Sequence, residues 1–423
     1  MIPLLGAWYT LAIAAGAEPV TAQAQYSETQ QFPDPKVSTV SAPAAAQPSI
    51  PVFSQMPALS RLGNNTALDL GPYKCTEIGE GYNFCSQITD YSGMVYDGAR
   101  HQMVIFGGGH ASTNYNAVNT FKMGALKWVE EYPPTPPNQI VLTNYDTLRG
   151  ALLTGSGGGP YPRPAARHTV DLMQIVGDEL ILLSGVEGNG KTKQFAAAPG
   201  GYTSLELVSP ARICHYNFLT RQWTFTNVQG ITDWSASEVD PTSGKIVVLG
   251  QGHLSIYDAT WKTLRSYIDF STYAGLRHLV DEAGALVPNV LEINANLVYF
   301  PPKDRFYYFR YHNGEVYELT LDRADPSRSM VVNLSTRGTP PPDGEVGYAY
   351  DSKNQIIGGA IVNSAFYAFD PETKVWSRAV IEGGRPGTMK FHAIAYDPIN
   401  NVFTFLATDG GGATRTWAYR YAR

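Results

Sequence analysis

The chain has 423 residues, 43% of them hydrophobic, with 41 Gly, 29 Pro and 26 Tyr. That is apolar mass for two average domains or one large all-β unit, biased toward short strands and turns and away from helices. A formal charge of −6 with no basic run anywhere argues against a nucleic-acid binder.

The first 24 residues read as an export signal. Residues 2–17 are almost continuously apolar, and Ala22-Gln23-Ala24 is an A-x-A cleavage pattern. A membrane anchor is the rival reading, but Glu18-Pro19 closes the run just short of the roughly 17–25 residues a span needs. The expectation is a secreted or periplasmic protein with no membrane attachment after cleavage. Residues 25–55, with SAPAAAQPSIP at their centre, cannot bury a core and are expected to form a flexible tether. The folded domain is expected over 56–423. Cys75 and Cys85 lie close together and, in an exported chain, are expected to form a disulfide near the domain's entry. Cys214 is left over as a buried small hydrophobe.

Residues 91–110, YSGMVYDGARHQMVIFGGGH, set a pattern: a short strand, a turn at Asp97-Gly98, a hydrophobic strand, then glycines and a histidine. A further strand runs through 119–121 to Trp128. The pattern recurs from Arg167-His168 with a turn at Gly177-Asp178, and from Trp234 with a turn at Asp240. It returns in 291–321, from Glu345 with a turn at Asp351, and from Phe391 with a turn at Asp397. The last two turn aspartates are 46 residues apart. Six copies can be counted; a degenerate seventh has room in 56–90 or 131–165. The last copy lacks an outermost strand, and a segment near 61–70 is expected to supply it.

Strand, turn, hydrophobic strand, Gly-Gly, polar loop, strand and Trp resemble a kelch repeat, one blade of a galactose-oxidase-like β-propeller. The resemblance implies an all-β fold: a propeller of six or seven four-stranded blades, its ring closed by an N-terminal strand. It also implies that Trp128, Trp223, Trp261 and Trp376 pack the blades. First-strand starts and second-strand ends share one face in such a fold, and five histidines fall at those positions: His110, His168, His253, His312 and His392. Arg167, Lys390 and the trio Arg212, His215 and Tyr216 would join them, with Asn114 in the loop after His110. The insertions 131–165 and 185–210, the second carrying Lys191 and Lys193, would open on the same face.

Several chemistries lack their motifs. No H-E-x-x-H occurs for a zinc protease and no G-x-S-x-G elbow for a serine hydrolase. A glycosidase needs two opposed carboxylates, for which Asp233, Glu292 and Glu345 are scattered candidates. A His-, Tyr- and Arg-rich face suits β-elimination from a uronic-acid polysaccharide. That reaction needs a base, an acid and a cation to neutralise the carboxylate. Here the chain resembles exported propeller polysaccharide lyases of the ulvan lyase type. The resemblance implies His110 and His168 as base candidates, Tyr216 as acid and Arg212 as neutraliser. Arg167, Asn114, His215, His253, His312, Lys390 and His392 are expected to bind substrate. The expected partner is an acidic polysaccharide and the expected state a monomer, with no cofactor indicated and a structural divalent metal left open. The alternatives are a non-catalytic glycan- or protein-binding kelch module, a copper radical oxidase and a glycoside hydrolase.

Overall fold

Hairpins built on side-chain-capped turns run through the chain. At the turn after a first strand, Asp351 Oδ1 accepts from the backbone N–H of Lys353 and Asn354 at 2.8 and 2.9 Å, and Asp397 Oδ1 accepts from Ile399 at 2.9 Å. Asn217, Asp258 and Asp370 do the same at the turns between third and fourth strands. Such Asx turns offer the backbone a local partner and stop the strand, which is why the aspartates mark the repeat. The structure is a computed structural model. It describes residues 53–77, 85, 89–107, 115–140, 142–146, 148–155, 159–184, 211–231, 235–288, 291, 295–310, 314–344, 346–409 and 413–422. The expected signal segment, residues 25–52 of the expected tether and the loop 185–210 lie outside them.

Among the described residues the fold is all-β, with seven sheets, two four-residue α-helices and four single turns of 3-10 helix. Six sheets repeat one antiparallel meander. The first contains Val95–Asp97, Gln102–Phe106, Val118–Lys122 and Lys127–Glu130; the second Met173–Val176, Glu179–Leu182, Arg212–Asn217 and Gln222–Gln229. The third contains Ser235–Val239, Ile246–Gly250, His253–Asp258 and Thr263–Asp269; the fourth Asn296–Phe300, Arg305–Phe309, Val316–Thr320 and Met330–Asn333. The fifth contains Tyr348–Asp351, Ile356–Val362, Ala365–Asp370 and Val375–Val380; the sixth Met389–Asp397, Val402–Thr408 and Thr414–Arg420. The fourth, fifth and sixth sheets each gain a short parallel strand, Leu279–Asp281, Arg337–Gly338 and Glu382–Gly383.

The missing strand of the sixth sheet comes from the N-terminal side. Thr66–Pro72 pairs antiparallel with Thr414–Arg420, setting Thr66 against Arg420 and Pro72 against Arg415. The first strands of the six sheets neighbour one another in sequence order, and the sixth also meets the first. The seventh sheet, Tyr145–Asp146, Ala151–Leu152 and Arg163–Pro164, is a small three-stranded unit within the insertion 131–165.

Aromatic side chains fill the spaces between neighbouring sheets. Phe106, Tyr132, Tyr216 and Trp223 pack between the first and second; Phe309, Tyr348, Phe369 and Trp376 pack between the fourth and fifth. Each such burial contributes about 1.5–3 kcal/mol. Trp128, Trp223 and Trp376 also donate their indole N–H, to Thr416 Oγ1, Tyr132 Oη and the Gly314 carbonyl. Trp261 corrects the expectation. It sits in the turn after Asp258 and is 77% exposed, because the Asx turn carries it past the last buried position.

Candidate functional site

Three non-glycine residues at the openings of inner strands take left-handed backbone: Tyr91 at φ 57°, Val170 at φ 35° and Phe391 at φ 41°. For a β-branched residue such as Val170 this is a costly conformation, and strain of this kind collects at working sites. The cause is local. The Tyr91 carbonyl accepts from both Thr169 and Val170 N–H, at 3.1 and 2.9 Å, drawing two inner strands together. Gly93 permits the approach, since a Cβ there would lie 1.9 Å from the Val170 carbonyl oxygen.

The strained backbone gathers an aromatic cluster. The Tyr91 ring stacks on His168 with centroids 4.6 Å apart and meets Phe391 at 4.3 Å. Lys390 Nζ lies beside it, paired with Asp90 at 2.9 Å. His168 and Lys390 thus stand with Tyr91 and Phe391 at the openings of inner strands, whereas His392 packs against Asn296 of the fourth sheet. Tyr91 and Phe391 were missed by sequence reasoning. The available signal was an aromatic six residues ahead of the turn aspartate, Tyr91 before Asp97 and Phe391 before Asp397.

Other expected residues stand elsewhere. Tyr216 is fully buried in the apolar layer with Tyr132, Phe218 and Trp223, and burial pushes its hydroxyl pKa up. Neither position nor acidity suits it to protonate a leaving group. His215 spends both ring nitrogens, Nδ1 on Glu179 at 2.7 Å and Nε2 on Tyr257 Oη at 2.7 Å, tying the second sheet to the third. Burial holds its pKa below the usual histidine value. Arg167 is buried and donates to the carbonyls of Ser184 and Arg212 at 2.9 and 2.8 Å and of Gly150 at 3.2 Å. Its guanidinium anchors the insertion to the second sheet. Arg212 donates to the Asn227 carbonyl at 2.7 Å, and half-exposed His253 lies near Asp269 on a third strand. His110, Asn114 and His312 lie outside the described residues. Cys75 and Cys85 are disulfide-bonded with Cα atoms 5.7 Å apart, and Cys214 is buried and free.

Deeper between the inner strands runs a polar belt. Asp171 Oδ2 accepts from the backbone N–H of Ser237 at 3.0 Å and Leu297 at 2.9 Å; its Oδ1 accepts from Asn296 Nδ2 at 2.6 Å. The Asn296 carbonyl oxygen therefore faces His392 and accepts its Nδ1–H at 3.1 Å. One chain of hydrogen bonds thus crosses from the second sheet through the third and fourth to the sixth. It leaves His392 Nε2 as a lone pair with no partner among the described residues. Burial pushes His392 down to about 3, so the ring is neutral at physiological pH. Burial raises Asp171 well above the usual carboxylate range and lifts Glu238 to about 7.

The Glu238 shift makes a testable statement about stability. Its folded pKa lies above the unfolded value of 4.5, so its contribution is present below about 4.5 and lost as pH rises toward about 7. Glu238→Gln is therefore expected to flatten the pH dependence of the urea midpoint across that interval. An unchanged slope would show that the carboxyl is not held up by burial.

No protein-family model matches the sequence, and no curated protein matches it. Among solved structures it is similar to an auxiliary nutrient binding protein from Bacteroides thetaiotaomicron, at 8% identity and a TM-score of 0.46. The match covers 86% of this chain and 74% of that one, a likeness too distant to bear on function.

Proposed function

We propose that the six sheets are blades of a kelch-type β-propeller and that its working end is the mouth where Tyr91, His168, Lys390 and Phe391 meet. The cyclic contact of the inner strands and the closing strand Thr66–Pro72 support the ring. We further propose that the mouth acts on a uronic-acid-containing polysaccharide by β-elimination. The supporting observation is the stacked His168–Tyr91 pair beside a lysine.

In this reading Lys390 exchanges Asp90 for the substrate carboxylate. Neutralising that charge makes the neighbouring C–H more acidic. The His168 imidazole takes the proton, and the electron pair forms the ring double bond. The bond from the adjacent carbon to the glycosidic oxygen breaks, and Tyr91 Oη protonates the leaving oxygen. Tyr91 thereby takes the part that the sequence reading gave to Tyr216. The disulfide supports an oxidising compartment and hence export. Among the described residues, no helix is long and apolar enough to cross a membrane.

Two observations favour a second reading, glycan binding without cleavage. His168 is only 2% exposed under Tyr91, and Lys390 is already paired. A spectrophotometric assay on a panel of uronate polysaccharides separates the two. The expected result is rising ultraviolet absorbance from the unsaturated uronate, cut about 10²-fold or more in His168→Ala and in Tyr91→Phe. Absorbance that never rises while the protein still retains glycan would replace the lyase with a binding module. Reducing ends without absorbance would point to hydrolysis.

A further inference from the structure

The inner strands enclose a cavity of about 320 Å³, at the small end of the range for ligand sites. Its wall is chemically one-sided. It holds the carboxyl groups of Asp171 and Glu238 and the rings of Tyr96, Tyr350 and Tyr396, but no lysine or arginine. His392 also lines it, 3% exposed, with Nε2 unpartnered among the described residues. A buried acceptor without a donor is costly, and a neutral ring nitrogen can be satisfied only by an N–H, an O–H or a metal. Among the described residues no three His, Cys, Asp or Glu side chains are grouped to hold a metal ion.

We infer that this cavity binds a small organic cation, a protonated primary amine that donates to His392 Nε2 and has its charge met by Glu238 and Asp171. The belt fixes the geometry: Asp171 orients Asn296, and Asn296 holds the His392 Nδ1–H, which turns the Nε2 lone pair away from the belt. Tyrosine faces attract cations through their ring quadrupoles and tolerate an alkyl body. A neutral polyol would satisfy His392 but bring no positive charge to the two carboxyl groups, whose pKa values burial raises; a bound cation favours their ionised form. The site is independent of the lyase reading, because it uses none of Tyr91, His168 or Lys390.

Ethanolamine is the probe, with glycerol as the neutral control and tetramethylammonium as a cation without N–H donors. Titrations are followed by calorimetry and by the ¹⁵N resonance of His392 in histidine-labelled protein. Ethanolamine is expected to bind saturably and shift the Nε2 resonance. Tetramethylammonium should bind about tenfold more weakly, the loss expected for a charge-assisted hydrogen bond. His392→Phe should lose at least about the same factor, and Glu238→Gln, which keeps the cavity's shape, should also weaken binding several-fold. His253→Phe, on a third strand outside the cavity, should bind as the parent does. An unmoved His392 resonance overturns the inference, as does glycerol shifting it as strongly as ethanolamine. Undiminished binding in both Glu238→Gln and His392→Phe overturns it too.

Discussion

Asp171→Ala is expected to unfold at a clearly lower urea concentration than the parent, with a loss of about 4 kcal/mol. The reasoning is a count of orphans. The substitution strands the backbone N–H groups of Ser237 and Leu297 and one amide hydrogen of Asn296, each of which now donates to the carboxyl. An unsatisfied buried donor costs about 1–3 kcal/mol, and water entering the cavity offsets part of that. The effect also spreads, because a freed Asn296 no longer fixes His392 on the sixth sheet. Circular dichroism during urea titration reads the midpoint. A midpoint equal to the parent's would mean that the belt is incidental and that the aromatic layers alone hold the inner strands together.

Removing residues 1–72 is expected to have the second large effect: association into larger species than the parent and a fall in melting temperature of more than about 10 °C. Thr66–Pro72 makes six paired positions with Thr414–Arg420, at roughly 1 kcal/mol for each hydrogen bond. Arg420 also donates to the carbonyls of Leu59 and Leu62, at 2.7 and 2.6 Å, locking the entry helix to the same strand. Without the closing strand, Thr414–Arg420 becomes an unpaired edge, the usual template for association between chains. Light scattering after size exclusion reports the state. Addition of a synthetic peptide spanning 61–72 should restore the parent's size. A truncated protein that keeps the parent's size and melting temperature would show that this strand is dispensable.

The architecture was legible because its signals are local. Aspartate turns, alternating apolar strands and their spacing are properties of consecutive residues, so the six repeats and the N-terminal closing strand were readable from the chain. The boundaries were less so. The third strand expected from 119 to 128 divides into Val118–Lys122 and Lys127–Glu130, because Leu126 at φ 48° turns the chain back. Trp261 read as a packing residue from its place in the repeat. Its exposure depends on where the hairpin ends in space.

The candidate site was legible only in part. The positions of His168, Lys390 and His392 at first-strand openings were readable, because the repeat defines them. Tyr216 and Arg167 were misjudged for a shared reason: residue type does not reveal which partners a side chain has already taken. Arg167 is consumed by the backbone carbonyls of Ser184, Arg212 and Gly150, and Tyr216 by neighbouring rings. Asp171 and Asn296 carried no motif at all, since their bond joins residues 125 positions apart.

By itself, the amino-acid sequence determined the repeating hairpins, the all-β class and the pairing of the chain's two ends, since each follows from short-range pattern and turn chemistry. Tertiary structure alone decided which polar groups are spent and which are left over. Satisfaction of a buried donor or acceptor depends on what other sheets bring within about 3 Å. His392 shows this most plainly: an asparagine on another sheet set its tautomer, burial set its neutral charge, and its second ring nitrogen is left with no partner among the described residues.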